Sequence, residues 1–187
     1  HAAQDAAAES GDGAVTIDGE FVADNGNTTA RTARGDVKVK SQMKAGTDIT
    51  VQSDEGSVTV EGSLTSGKAT LAKATDGDVS IHGDVQSGTS FAAQADNGSI
   101  SVTGDITSGT SVAAQATEGN VTVGGSLTSK DGDTVLSASD SQKLEDKGNI
   151  RVTGSVDSAH GIEMTTDDGA IAVDGTLKAD KAVDVTT

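Results

Sequence analysis

The stretch GSVTVEGSLTSG at residues 56–67 contains two short runs of alternating apolar and polar residues, separated by a glycine. Closely similar stretches occupy residues 77–88, 98–109 and 119–130. Alternation with a period of two is typical of a β-strand with one buried face, and glycine is typical of a corner between strands. The repetition therefore predicts a fold assembled from copies of one strand–corner–strand unit.

The repeat can be followed along the chain from its leading glycine. These glycines are Gly13, Gly35, Gly56, Gly77, Gly98, Gly119, Gly148 and Gly169, separated by 22, 21, 21, 21, 21, 29 and 21 residues. The third and fifth positions of each copy are β-branched, the ninth is large and apolar, and a third alternating run follows, as in Phe91–Ala95. This pattern predicts an all-β fold, a parallel β-helix (β-solenoid) of about eight coils of 21 residues with three short strands per coil.

Coils of this kind are stable only as a stack, because one coil buries too little apolar surface to offset the entropy of ordering its backbone. An antiparallel β-sandwich would have similar strand lengths and turn spacings. Sandwich strands, however, do not repeat one residue type at one index through eight consecutive copies. The β-solenoid is therefore the favoured interpretation.

The repeat also divides the chain. Residues 1–12 are interpreted as the end of a preceding coil or an N-terminal tail, and residues 13–187 as a β-solenoid segment. The 29-residue spacing predicts about eight extra polar residues, an inserted loop near 140–147. Neither end shows a helix or a polar cap, so we expect end-to-end self-association or continuation of a longer solenoid.

Composition excludes several kinds of function. The 187 residues carry a net charge of −16 and contain no cysteine, so there is no disulfide framework and no thiolate metal site. An acidic surface disfavours nucleic acid, whose phosphates require lysine and arginine. No run of about 18 apolar residues is present, so no membrane insertion is expected.

The sequence offers little catalytic chemistry. His1, His82 and His160 lie in copies that are not adjacent, and no nucleophile motif appears. Polysaccharide-cleaving β-helices need clustered acids and aromatic platforms, whereas aromatic residues make up only 1% of this chain. Ice binding needs a regular threonine array, and the outward fourth positions are too mixed for one. We therefore predict that the protein is not an enzyme and has no cofactor.

The third corner of the repeat is acidic. Six of its carboxylates are Asp54, Glu55, Asp76, Asp96, Asp167 and Asp168; Glu118 and Asp146 also lie there, with interspersed threonine, asparagine and lysine. A solvated corner explains them, because aspartate suits turns and charge opposes lateral aggregation. The alternative is a ladder of Ca²⁺ sites, for which these six residues are the candidates. The pattern of Ca²⁺-binding nonapeptide repeats is absent, so we predict no metal site.

The run G-x-V-x-V-x-G-x-L-x-S-G, followed by a small alternating strand, resembles the repeats of filamentous haemagglutinin-like adhesins. The resemblance covers residues 13–187 and implies a right-handed β-helix secreted by Gram-negative bacteria. It implies a non-catalytic shaft of a secreted or surface-attached adhesin fibre, which contacts a host or neighbouring cell through regions outside this segment. The alternative is a self-assembling extracellular filament or surface-layer subunit.

Overall fold

The computed structural model describes residues 2–140 and 148–187. Within them the chain is all-β and contains no helix; its strands form three parallel sheets, stacked as a β-solenoid of about eight turns with three strands per coil. The predicted all-β solenoid is therefore confirmed. We call the sheets I, II and III after the order in which each coil visits them. Corner 1 joins sheet I to sheet II, corner 2 joins sheet II to sheet III, and corner 3 leads to the next coil.

Sheet I contains β2 (Val15–Ile17), β5 (Val37–Val39), β8 (Val58–Val60), β11 (Val79–Ile81), β14 (Ile100–Val102), β17 (Val121–Val123), β20 (Ile150–Val152) and β23 (Ile171–Val173). Sheet II contains β3 (Phe21–Ala23), β6 (Met43–Ala45), β9 (Leu64–Ser66), β12 (Val85–Ser87), β15 (Ile106–Ser108), β18 (Leu127–Ser129), β21 (Val156–Ser158) and β24 (Leu177–Ala179). Sheet III contains β1 (Ala6–Ser10), β4 (Thr28–Arg34), β7 (Ile49–Glu55), β10 (Thr70–Ala74), β13 (Phe91–Ala95), β16 (Val112–Ala116), β19 (Thr134–Ala138), β22 (Ile162–Thr166) and β25 (Val183–Thr186).

The strands of each sheet pair in the register of the repeat. Val79, for example, lies opposite Val58 in the preceding coil and Ile100 in the following coil. Because side chains alternate across a strand, this register keeps every inward residue above another inward residue. The inward side of sheet I therefore consists of columns of valine and isoleucine, and Val58, Val79 and Ile100 are at most 1% exposed.

Small polar residues also occupy the interior, at the start of sheet III and the end of sheet II. The Oγ atoms of Ser66 and Ser87 each lie 2.8 Å from Thr70 Oγ1, and Ser158 Oγ donates a hydrogen bond of 2.7 Å to the Gly132 carbonyl. These hydroxyls are buried, and hydrogen bonding offsets the cost of removing them from water. Alanine or serine at the eleventh position thus fits the narrow interior beside corner 2.

Two coils contain an extra residue at corner 2. Thr28 lies opposite Ala6, and Thr134 lies opposite Val112. In both pairs the partners are 22 residues apart in the chain, whereas partners in the regular coils are 21 residues apart. One of the eight extra residues predicted for the interrupted copy therefore belongs to corner 130–133. The predicted loop near 140–147 lies outside the described residues except for Asp140. Beyond it the stack resumes in register, since Ile150 lies opposite Val121.

Candidate functional site

The six calcium candidates lie at corner 3, where each coil leaves sheet III. Asp54, Glu55, Asp76 and Asp96 belong to three consecutive coils, whereas Asp167 and Asp168 lie further along the stack. Across residues 2–140 and 148–187, no three histidine, aspartate or glutamate side chains come together in a way that could hold a metal ion. His1 and Asp146 lie outside the described residues.

Three of these carboxylates have partners within the protein. Asp54 accepts a hydrogen bond of 2.8 Å from Gln52 and forms an ion pair of 3.4 Å with Arg31. The hydrogen bond from Gln52 lowers the pKa of Asp54, and Arg31 lowers it further through a weaker hydrogen bond and its positive charge. Asp96 forms an ion pair with Lys73 at 3.4 Å, and Asp76 accepts a hydrogen bond from the amide of Asn97. The acidic corner is thus partly neutralised by the chain itself.

Another set of polar side chains at corner 3 bonds directly along the stack. The backbone N–H of Ser57 donates to Asp36 Oδ1, and the N–H of Ser99 donates to Asp78 Oδ1, both at 2.8 Å. The same contact recurs from Asp36 to Ala170, with distances of 2.7 to 3.2 Å, and we call it the corner-3 ladder: its members are Asp36, Ser57, Asp78, Ser99, Asn120, Asn149 and Ala170. Each side chain therefore satisfies a backbone donor of the next coil.

Corners 1 and 2 contain shorter versions of this ladder. At corner 1, Asp105 donates its N–H to Asp84 Oδ1 at 3.0 Å and accepts the N–H of Ser126 at 2.7 Å. At corner 2, Asp5 Oδ1 accepts the N–H of Asn27, and Asp133 Oδ1 accepts that of Gly161. Some of the aspartates of the protein thus act as turn acceptors. Sequence analysis missed these ladders, although the small acceptors repeated at one index were a signal for them.

The two histidines in the described part of the chain, His82 and His160, do not form a site together. His82 is exposed at corner 1, and His160 is half-buried at corner 2 of a later coil. Because they lie at different corners in different coils, they share no ligand. The sequence had suggested this separation.

In the central coils the outer faces of sheets I and II are polar, whereas sheet III presents an outward apolar row of Leu71, Ala92, Ala113 and Val135. Sheet I presents Ser80 and Ser101 outward, and sheet II presents Thr65, Gln86 and Thr107. A shallow depression of about 360 Å³ over sheet II is open to solvent and is lined by hydroxyls, an amide and Lys130. A tight small-molecule site is usually a deeper cleft with apolar walls. The geometry of this depression favours neither substrate binding nor catalysis.

A comparison with known protein families, curated proteins and solved structures found no match. Among the described residues no helix has the length and apolar character needed to cross a membrane.

Proposed function

We propose that this chain is a non-catalytic shaft segment of an extended fibre that is secreted or attached to the cell surface. The observation that carries the proposal is the repeated register of the three sheets, in which each central coil pairs with the coil below and the coil above. Such a stack gives length and rigidity and needs no binding pocket. The resemblance of the repeat to filamentous haemagglutinin-like adhesins supports an adhesin as the parent fibre.

The chemistry of the surface also supports a passive role. Outward hydroxyls and amides of sheets I and II hydrate two sides of the rod in the central coils, and the charged corners oppose lateral pairing with other rods. Some acidic and basic groups form ion pairs between adjacent coils, such as Lys38 with Glu61 and Arg151 with Asp174. A shaft of this kind would hold an adhesive region away from the cell.

The second candidate function is end-to-end assembly through the outer edge of β25. Val183 and Val185 of β25 face the interior column but are 47% and 46% exposed, and the outer edge of β25 has no neighbouring strand in the structure. A further coil would bury both side chains and pair with this edge. The second candidate is therefore a filament or surface-layer subunit in which a second copy supplies that coil.

The shaft proposal can be tested by changing the number of coils. Residues 77–97 form one complete coil, so inserting four additional copies of them after residue 97 preserves the phase of the repeat. The rod should lengthen by about 19 Å, at about 4.8 Å per coil. The matched control inserts four copies of the same 21 residues in which Val79 is exchanged with Ser80 and Val85 with Gln86, so that polar side chains replace apolar ones in the interior.

The measurements are small-angle scattering of the purified protein and adhesion of cells that display the parent fibre. A shaft predicts a longer rod and unchanged adhesion for the in-phase variant, and an unfolded insert for the control. Loss of adhesion by a well-folded, longer rod would contradict the shaft proposal, because the coils themselves would then carry binding. Sedimentation at increasing concentration tests the second candidate: association that is abolished by Val185→Asp would support end-to-end assembly.

A further inference from the structure

The chain contains five asparagines, and two of them precede glycine: Asn25 and Asn97. Asn27, Asn120 and Asn149 precede the β-branched residues threonine, valine and isoleucine. An asparagine amide is chemically labile in proteins. It is most easily attacked by the backbone nitrogen of the next residue when that residue lacks a side chain and its N–H is free. These two conditions separate Asn25 and Asn97 from the other three asparagines, whose following residues carry branched side chains.

Asn97 meets both conditions. It lies exposed at corner 3, and the N–H of Gly98 donates no hydrogen bond within the described part of the chain. By contrast, the N–H of Val121 donates to the Asn149 carbonyl and the N–H of Ile150 donates to the Ala170 carbonyl, both within the ladder of sheet I. A nitrogen held in a ladder bond and shielded by a branched side chain is not available for attack on the preceding amide.

The packing of the coils requires the glycine that makes Asn97 reactive. A Cβ atom added to Gly98 would collide with the backbone carbonyl group of Gly77 in the preceding coil. A protective side chain after Asn97 is therefore excluded by the stack itself. Gly26, which follows Asn25, is buried, whereas Gly98 is half-buried, so we expect solvent to reach the nitrogen of Gly26 less easily.

We propose that Asn97 is a site of spontaneous deamidation and isoaspartate formation. The nitrogen of Gly98 loses its proton to solvent and attacks Cγ of Asn97. The Cγ–Nδ2 bond breaks, and ammonia leaves with a proton taken from solvent. Water then opens the cyclic imide at either carbonyl, giving aspartate or isoaspartate without any change of oxidation state.

The modification changes the corner in two ways. Asn97 Nδ2 donates a hydrogen bond to Asp76 Oδ1, and both products replace this donor with a carboxylate beside another carboxylate. Isoaspartate also adds a backbone atom between Ala95 and the start of β14, where register depends on the number of residues. The fibre would therefore acquire charge and a local defect with age.

The test is site-resolved peptide mapping of the folded protein during incubation in mildly alkaline buffer. Asn97 should deamidate at least about tenfold faster than Asn120 and Asn149, a barrier lower by about 1.4 kcal/mol. Asn25 should react more slowly than Asn97 in the folded protein and at a similar rate in urea, because unfolding removes the shielding of Gly26. Survival of Asn97 for as long as Asn120 in the folded protein would overturn the proposal.

Two variants complete the experiment. Asn97→Gln keeps an amide at corner 3 but moves its carbonyl one bond away, so labelling by an isoaspartyl methyltransferase should fall relative to the aged parent. Asn97→Asp reproduces the charge of one product without the altered backbone and should lower the melting temperature slightly. Undiminished labelling of the aged Asn97→Gln variant would show that the isoaspartate arises at other residues and would contradict the assignment.

Discussion

Lys38 Nζ lies 2.7 Å from Oε1 of Glu61, a residue that belongs to the next coil of the stack. The in-register neighbour of Lys38 is Thr59, and Glu61 lies two residues beyond it on the same outer face. The same offset joins Arg31 to Asp54, Lys73 to Asp96 and Arg151 to Asp174. Each of these ion pairs is therefore a diagonal contact between adjacent coils.

The ion pair of Lys38 with Glu61 predicts a stability difference that depends on pH. The hydrogen bond from Lys38 lowers the pKa of Glu61 from its usual value of 4.5. A lowered pKa in the folded state adds stability above the usual value, and this stability is lost as pH falls through the folded value. Lys38→Met should therefore lower the melting temperature slightly at neutral pH, and the difference should vanish in acid.

The matched control is Lys44→Met, because Lys44 is exposed on the next strand and has no ion pair in the described part of the chain. Its melting temperature relative to the parent should not follow the titration of Glu61. Equal pH profiles for the two variants would mean that net charge, and not the diagonal contact, governs the effect.

Val102→Asp should unfold the central coils. Val102 is 1% exposed and lies between Ile81 and Val123 in an inward column of sheet I. An unpaired carboxylate in this column would lose its hydration without gaining a partner, at a cost of several kcal/mol. Ser101→Asp, which places the same charge on the outer face, is the control. Circular dichroism melts should separate the two, and an unchanged midpoint for Val102→Asp would show that the column is not closed.

Gly88→Ala should destabilise the rod although only a methyl group is added. A Cβ at Gly88 would overlap the backbone carbonyl of Gly67 in the preceding coil, and a backbone group cannot move aside without disturbing corner 2. Overpacking of this kind costs roughly 1–3 kcal/mol. Gly19→Ala is the control, because no atom lies within 4 Å of the added Cβ. Equal denaturant midpoints for the two variants would show that the backbone of corner 2 shifts at little cost to accommodate the added methyl group.

Substitutions at Asp105 should distinguish a lost acceptor from a lost charge. Asp105 Oδ1 accepts the N–H of Ser126 at 2.7 Å. Asp105→Ala should lower the free energy of unfolding by about 1 kcal/mol, the usual contribution of one hydrogen bond. Asp105→Asn retains an oxygen acceptor and should change the free energy of unfolding little. Urea melts provide the measurement; equal losses in both variants would indicate that the negative charge itself stabilises corner 1.

The strands were predictable because the index of a residue in the repeat decides which way its side chain points. Val58, Val79 and Ile100 share one index and form one buried column, as the constant period of the repeat requires. The diagonal pairs were also contained in the sequence, since a cation and an acid recur at one fixed offset. They become visible only when the strands have been aligned.

The partners at the corners could not be predicted in the same way. Asp76 and Asp78 are separated by one glycine, yet Asp76 accepts from a side chain and Asp78 accepts from the backbone of Ser99. The difference arises from the local path of the chain around corner 3, which composition does not encode. The position of the extra residue at corner 130–133 was missed for a similar reason: a corner can absorb one residue without altering the strands on either side.

The corner-3 ladder has a direction, because each of its side chains accepts a hydrogen bond from the coil that follows it in the chain. A coil that is already in place therefore offers a prepared row of acceptors to the segment synthesised after it. A chain that emerges with its N-terminus first would always extend onto a finished template. The ladder therefore makes the two ends of the stack chemically different: its side-chain acceptors face the following coil, and its backbone donors face the preceding coil.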